Sequence, residues 1–349
     1  MGKFQMAADA VAMEKIPHKV LANGVKMPGI GIGTFGSDHA GAQLIADTVR
    51  EALRLGYRYI DCAACYGNEK EIGAVLKEAM DEGLPREELF IVGKLWNDKH
   101  DPADAVASCK QSIADLQVGY LDAYLVHWPF PNYHAPGCDG DSRNPDSRPY
   151  IQEEFMATWH ALEGLADEGL IRCLGTSNVT IPKLSMILRD ARIKPVVNEM
   201  ELHPCFQQGE LFQYCVDHDV QPIGFCPLGS PDRPERDKTP DDVADMSLPV
   251  VKQIAEAHGV HPALICLKWA NQRGQVPIPF TTKRKNALTN LRSVTEDPLT
   301  PEEMEMMRSA ERNCRLVKGQ VFLWPGANSW LDLWDVDGTI PGWGGYGKE

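Results

Sequence analysis

"IGIGTFG" at residues 30–36 sets Gly31, Gly33 and Gly36 in the spacing G-x-G-x-x-G. A short apolar run precedes the glycines, a helix-like stretch follows, and Asp61 closes the next apolar run. That order is nearly the fingerprint of an open Rossmann sheet, where glycines let a pyrophosphate approach the backbone. Glycines at this spacing equally let a strand pack and turn tightly. The rest of the chain has to decide between the two readings.

Downstream, short apolar runs alternate with longer helical stretches. The strand candidates are 31–35, 57–61, 90–95, 120–127, 171–177, 195–200, 220–226 and 276–279. Helix signals lie between them. Asp101 before Pro102 is an N-cap followed by proline at the first helical position, opening "PADAVASCKQSIADL". Phe155, Trp159, Leu162 and Leu165 within 151–167 recur near a 3.6 period. Thr180 before Ile181-Pro182 starts another helix, and 250–257 and 263–270 are two more. Strands alternating with helices imply a parallel sheet covered on its outer face. Eight such units without a linker imply a closed α/β architecture, a (β/α)8 TIM barrel, rather than two open sheets. The irregular stretch 129–150 then becomes a long loop on the catalytic face, and "GIGTFG" becomes a packing element. "HKVLANGVKMPGI" reads as a hairpin turning at Asn23-Gly24 that plugs the barrel's N-terminal end. A single domain over 1–349 is expected, with the barrel at about 18–315 and an extended C-terminal tail at about 316–349.

Composition narrows the function classes. The chain has 349 residues, 43% of them hydrophobic, and a net charge of −14. Its one short basic cluster is "KRK" at 283–285, so nucleic acid is not expected as a partner. No apolar run approaches the roughly 20 residues that span a bilayer. The N-terminal stretch lacks a signal-peptide apolar core, so a soluble, cytoplasmic protein is expected. Ten cysteines are scattered, and only Cys62 and Cys65 form a C-x-x-C. No second pair or histidine set at ligand spacing follows, so no metal is expected. The pair also fits a redox motif; the plainer reading is reduced thiols.

In such a barrel, chemistry collects where strands end. Strand two ends at Asp61, with Tyr66 just beyond; strand three carries Lys94; strand four ends at His127. Each alone has an ordinary reading: a turn cap, packing, a surface lysine, a core histidine. Together they suit one task. A phenol, with its pKa of about 10, is a poor donor at neutral pH. A nearby ammonium lowers that value, and a carboxylate holds the ammonium in place. An imidazole opposite orients a carbonyl oxygen. The set is equipped to protonate a carbonyl but lacks a reductant, which implies a hydride-carrying cofactor.

The motifs "YRYIDCAACYGNEKEIG", "FIVGKLW", "YLVHWP", "IRCLGTSN", "PVVNEMELHP" and "PLGSPDRP" resemble, in order, those of the aldo-keto reductases. The resemblance covers about 18–315. It implies a monomeric barrel that binds an extended nicotinamide coenzyme, with a dimer as the alternative assembly. It implies Tyr66 as acid/base, Lys94 and Asp61 as its activators, and His127 beside the substrate carbonyl. It further implies Ser177 and Asn178 on the carboxamide, and Leu228, Ser230 and Asp232 near the pyrophosphate. Asn290 matches the adenine contact. Glu199 stands where the family often has glutamine, and accepts but cannot donate a hydrogen bond when ionised. Phe225 replaces the usual stacking tyrosine and keeps the ring. Phe280 and Asn286 stand where NADPH users commonly have lysine and arginine. Thr281 retains one hydroxyl donor, and Thr282 suits a free ribose hydroxyl. NADH is therefore expected to serve at least as well as NADPH.

Phe35, Trp96 and Trp128 are expected around the mouth of a pocket for a small carbonyl or sugar substrate. The tail, with Trp324, Trp330, Trp334 and Trp343, shows no usable resemblance. The alternative reading is a non-catalytic protein on the same barrel that binds a nicotinamide coenzyme and serves regulation. The intact polar set argues against it.

Overall fold

The computed structural model describes residues 4–37, 39–135, 138, 142 and 144–340. Trp343 lies outside the described residues. The chain opens with an antiparallel hairpin, β1 (His18–Val20) and β2 (Lys26–Pro28). Its turn is at Asn23-Gly24, where Gly24 adopts φ +82° and Asn23 Oδ1 accepts from the Val25 N–H at 3.2 Å. Leu21 and Met27 join the apolar core inside the barrel with Tyr59, Val92, Leu125, Val197 and Ile223. Asn23 Nδ2 also donates to the Arg172 carbonyl. The hairpin therefore stops the end of the barrel away from the strand C-termini.

Eight parallel strands follow: β3 (Ile32–Gly33), β4 (Tyr59–Asp61), β5 (Phe90–Leu95), β6 (Ala123–Val126), β7 (Leu174–Ser177), β8 (Val197–Glu201), β9 (Gln221–Phe225) and β10 (Val276–Pro277). Each falls inside an expected apolar run, except that β8 reaches one residue further. Neighbours in sequence are neighbours in space. The ring closes where the Gly31 and Gly33 N–H groups donate to the Pro277 and Pro279 carbonyls, both at 3.0 Å. The opening glycines thus sit on the seam. A Cβ at Gly31 would lie 2.7 Å from the Tyr59 ring, and one at Gly33 would lie 3.1 Å from the Ile278 carbonyl. Close packing, not a pyrophosphate turn, accounts for them.

The helices are α1 (Ala42–Leu55), α2 (Glu69–Asp81), α3 (Pro102–Leu116), α4 (Gln152–Asp167), α5 (Ile181–Asp190), α6 (Gly209–Asp217), α7 (Pro249–His258), α8 (Pro262–Gln272), α9 (Arg284–Ser293) and α10 (Pro301–Met306). Asp101 caps α3 as expected, accepting from the Ala103 N–H at 2.9 Å. Thr180 precedes α5 but makes no capping bond. Its hydroxyl instead donates to Asp335 in the tail.

After α10 the chain runs back across the mouth of the barrel. Glu201, at the end of β8, accepts from the Leu316 and Val317 N–H groups at 2.6 and 2.8 Å. The Arg315 guanidinium lies 3.3 Å from the Trp334 ring centroid. Lys183 on α5 pairs with Asp335 at 2.5 Å in a fully buried contact. Phe322, Leu333 and Trp334 close over Trp128 and Phe130 in one apolar cluster. Among the described residues, no helix is long and apolar enough to cross a membrane. All ten cysteines are free thiols.

Candidate active site

Side chains from the ends of β4, β5 and β6 converge on one point. Lys94 Nζ, with the side chain fully buried, lies 2.6 Å from Asp61 Oδ2, 3.2 Å from the Cys62 carbonyl and 3.4 Å from the Tyr66 hydroxyl. Tyr66 ends a short 3-10 turn, Ala64–Tyr66, which carries the phenol back over the strand end. His127 follows β6, and its ring meets Tyr66 edge-on at a centroid distance of 5.8 Å. Thr34 and Asn68 brace the turn: Thr34 Oγ1 donates to the Asp61 carbonyl at 2.7 Å, and Asn68 Nδ2 donates to the Thr34 carbonyl at 2.9 Å.

Electrostatics corrects one expectation. The ammonium does pull the Tyr66 phenol down, but burial outweighs it, and Asp61 and Glu199 add to the rise. The phenol of the free protein therefore stays well above its ordinary value. Burial is the main cause, and Asp61, which pairs with Lys94, adds to it. Lys94 itself is held well above the usual lysine value because Asp61, Glu199 and Tyr66 overcome the cost of its burial. Burial, then the Lys94 charge, drives His127 well below the ordinary histidine value. The site thus presents a neutral phenol and a neutral imidazole.

A cavity of about 590 Å³ opens over this group. Asp61, Tyr66, His127, Asn178, Glu199, Phe225, Leu228, Ser230 and Asp232 line it, with Phe35, Trp96 and Trp128. Other expected residues do not reach it. Lys94 sits behind Asp61 and Tyr66. Ser177 is fully buried, and its Oγ accepts from Asn178 Nδ2 at 3.2 Å. Thr281, Thr282 and Asn290 lie beyond the wall formed by Phe280, on the way into α9 and within it. Thr281 Oγ1 accepts from the Lys283 N–H there.

The fit to a nicotinamide rests on two buried atoms. Asn178 Oδ1 and Glu199 Oε2 are inaccessible and have no partner, yet both side chains border the cavity. A carboxamide offers N–H donors to such oxygens and, in its own oxygen, an acceptor for a carboxyl proton. Phe225, on the same wall, is half-buried and keeps a ring available for stacking.

Glu199 does more than the sequence reading assigned to it. Its Oε1 lies 3.4 Å from Lys94 Nζ, so two carboxyls share one buried ammonium. Burial, followed by the charge of Asp61, pushes its carboxyl up to about 8.

On the substrate side, Phe35 is exposed and lies 5.1 Å from the Tyr66 ring. Trp96 faces His127, His134 and Phe322 at 5.2, 6.1 and 6.0 Å. Trp128 borders the cavity but is mostly core, packed on Phe322 and Trp334. Sequence reasoning missed the tail's own contribution: Val317, Gly319, Val321 and Phe322 line the pocket. It also read Cys65 only as half of a C-x-x-C of reduced thiols. The thiol in fact lines the cavity.

A second buried polar group lies beside β8. His203 Nδ1 and Nε2 each approach a carboxylate, Asp245 and Glu201, at 3.0 Å. Desolvation opposes the charged form, but those two bonds hold His203 well above the usual histidine value. Cys205 stands close enough to complete a metal-sized cluster. Both imidazole nitrogens are already engaged, which favours a proton over a metal ion.

Comparison with known proteins is consistent across sequence and structure. A family model described as Aldo/keto reductase family matches residues 29–312. Aldo-keto reductase family 1 member A1 of Homo sapiens is 40% identical over 301 residues, spanning 85% of this chain and 90% of the relative. An aldo/keto reductase of Synechocystis is 38% identical over 317 residues, spanning 90% and 95%. Among solved structures, MGS-M4, an aldo-keto reductase enzyme from a deep-sea metagenome library, superposes with a TM-score of 0.71 at 28% identity, covering 85% of this chain and 96% of that one.

Proposed function

Since this chain belongs to the aldo/keto reductase family, and so is an oxidoreductase of carbonyl compounds, we propose that Tyr66 is its proton donor and that NADH serves it at least as well as NADPH. The observation that carries this reading is the phenol held 3.4 Å from a buried ammonium and open to the cavity. A bound nicotinamide coenzyme supplies the hydride.

Tyr66 and His127 receive the substrate carbonyl oxygen. Neutral His127 hydrogen-bonds that oxygen and fixes its direction. As negative charge develops there, the Tyr66 hydroxyl gives up its proton. Lys94 stabilises the phenolate left behind, and Asp61 keeps Lys94 aimed at it. Phe35, Trp96 and the tail residue Phe322 exclude water around the oxygen. The aromatic wall suits a hydrophobic aldehyde or ketone, or the apolar face of a sugar.

For the coenzyme, Phe280 offers no charge where a 2′-phosphate would be gripped. Arg284 is occupied: it forks onto Asp9 at 2.5 and 3.0 Å and reaches Glu51 at 3.4 Å. Lys283 and Lys285 remain as exposed candidates.

The test is consumption of NADH and NADPH across a panel of aldehydes, ketones and keto-sugars, with Tyr66→Phe alongside. General acid catalysis contributes about 10²–10⁴-fold, so Tyr66→Phe should lose at least that in turnover while binding coenzyme normally. Near-normal turnover in Tyr66→Phe overturns the assignment. Coenzyme binding without turnover of any carbonyl would favour the regulatory reading.

A further inference from the structure

Building on the reaction proposed above, we propose that Glu199 is a proton-holding positioning residue. With its carboxyl protonated, Tyr66 donates to the carbonyl; with it ionised, donation is switched off. Lys94, Asp61 and Glu199 are all buried, at 0%, 2% and 2% exposure. One ammonium faces two carboxyls, at 2.6 and 3.4 Å. If both are ionised, the cluster holds an uncompensated negative charge away from water, which is costly. Asp61 has the shorter contact with the ammonium. Glu199 is the member that takes the proton. Its Oε2 is buried without a partner.

The other neighbours do not relieve it. From β4 come Asp61 and the phenol of Tyr59, which lies 3.4 Å from Asp61 Oδ1. Beyond β4 stands Tyr66, and from β5 comes Lys94. The residues paired with Glu199 on β7 and β9 are Ser177 and Ile223, both uncharged. On β8 itself the next charged residue, Glu201, is engaged with His203. Lys94 is therefore the sole cation against Glu199 among the described residues.

The consequence falls on Tyr66. Ionised Glu199 adds a second negative charge beside the ammonium that must stabilise the phenolate. Loss of the Tyr66 proton then becomes harder, and carbonyl reduction slows. The upward displacement of the Glu199 carboxyl places this switch near pH 8.

Two measurements test the proposal. The first needs no catalysis: infrared spectra of the coenzyme-free protein across pH. A protonated-carboxyl band should persist at neutral pH, disappear around pH 8, and be absent from Glu199→Gln and Glu199→Met. Glu69, pushed up to about 7 by burial, gives a comparable band, which Glu69→Gln removes. If the band near pH 8 belongs to Glu69 alone, or every carboxyl is ionised by pH 6, the proposal is overturned. The second is the pH profile of kcat/KM for reduction. Wild type should fall about tenfold per pH unit above the switch, and either Glu199 variant should extend its plateau to higher pH. Profiles of identical shape overturn the proposal. If no carbonyl is reduced at all, the proposed reaction fails while the infrared result still decides the protonation of Glu199. Should neither variant fold, the wild-type and Glu69→Gln spectra decide it: a carboxyl band near pH 8 that survives in Glu69→Gln supports the proposal.

Discussion

The thiol of Cys65 lies 3.6 Å from Nδ1 of His127. A thiol proton directed at Nδ1 places the ring proton on Nε2, the tautomer that donates to a carbonyl. A hydrogen bond of this weak kind contributes at most about 0.5–1.5 kcal/mol. Cys65→Ala should therefore lower kcat/KM by no more than about tenfold, and Cys62→Ala should leave it unchanged. Steady-state kinetics of both variants check this. A loss beyond a hundredfold in Cys65→Ala would mean that the thiol itself takes part in the chemistry.

Lys94→Met removes the sole cation between Asp61 and Glu199. Breaking a buried ion pair by deleting one partner costs about 3–5 kcal/mol. Urea unfolding should show a loss of this size at pH 7. The loss should shrink in the double variant Lys94→Met/Asp61→Asn, because the carboxylate left without its ammonium is then gone. An undiminished loss would locate the effect in packing rather than charge.

The proposed coenzyme preference depends on the pairing of Arg284 with Asp9. A charge-assisted hydrogen bond contributes roughly 1.5–3 kcal/mol, so the missing grips remove most of any preference for a 2′-phosphate. Comparing kcat/KM for NADH and NADPH should give a ratio near one or in favour of NADH. Asp9→Ala frees Arg284 and should shift the ratio towards NADPH. A wild-type preference for NADPH beyond about a hundredfold, roughly 2.7 kcal/mol, would show that Lys283 or Lys285 has taken over the grip.

His203 predicts a slope of stability against pH. Its folded value is raised above the ordinary 6.5, so the native state binds one more proton than the unfolded chain between those values. The resulting stability is complete below pH 6.5 and is lost as pH rises through the folded value, by up to about 1.4 kcal/mol per unit. Melting temperatures between pH 6 and 9 should fall more steeply in wild type than in His203→Gln. Glu199 and Glu69 slope the same way in both proteins and cancel in the comparison. Parallel curves would mean that His203 is neutral in the native state.

The legible parts of this molecule are those governed by neighbours in sequence. The cap at Asp101, the turn at Asn23-Gly24 and the eight apolar runs are local, and the structure keeps them. Asp61, Tyr66, Lys94 and His127 were visible because a closed barrel brings successive strand ends together. The contact of Glu199 with Lys94 was not, because it spans the barrel from β8 to β5 and depends on both side chains turning inward at the same level. The Tyr66 phenol moved opposite to expectation because burial is a tertiary quantity. The tail was opaque for a related reason: its order comes from Lys183, Glu201 and Trp128, all distant in the chain, and not from any periodicity of its own.

The seam between Gly31–Gly33 and Pro277–Pro279 has a consequence for how the protein is made. The ribosome delivers the first strand of the ring long before the last, so the ring cannot shut until residue 279 has emerged. Meanwhile the first strand presents an open edge, the kind of surface on which nascent chains mispair. Its eventual partner is guarded at the chemical level. Pro277 and Pro279 carry no N–H, so that stretch accepts at those positions but cannot donate to a stray strand. Ring closure thus locks a glycine edge, which only needs acceptors, onto a proline edge, which only supplies them there.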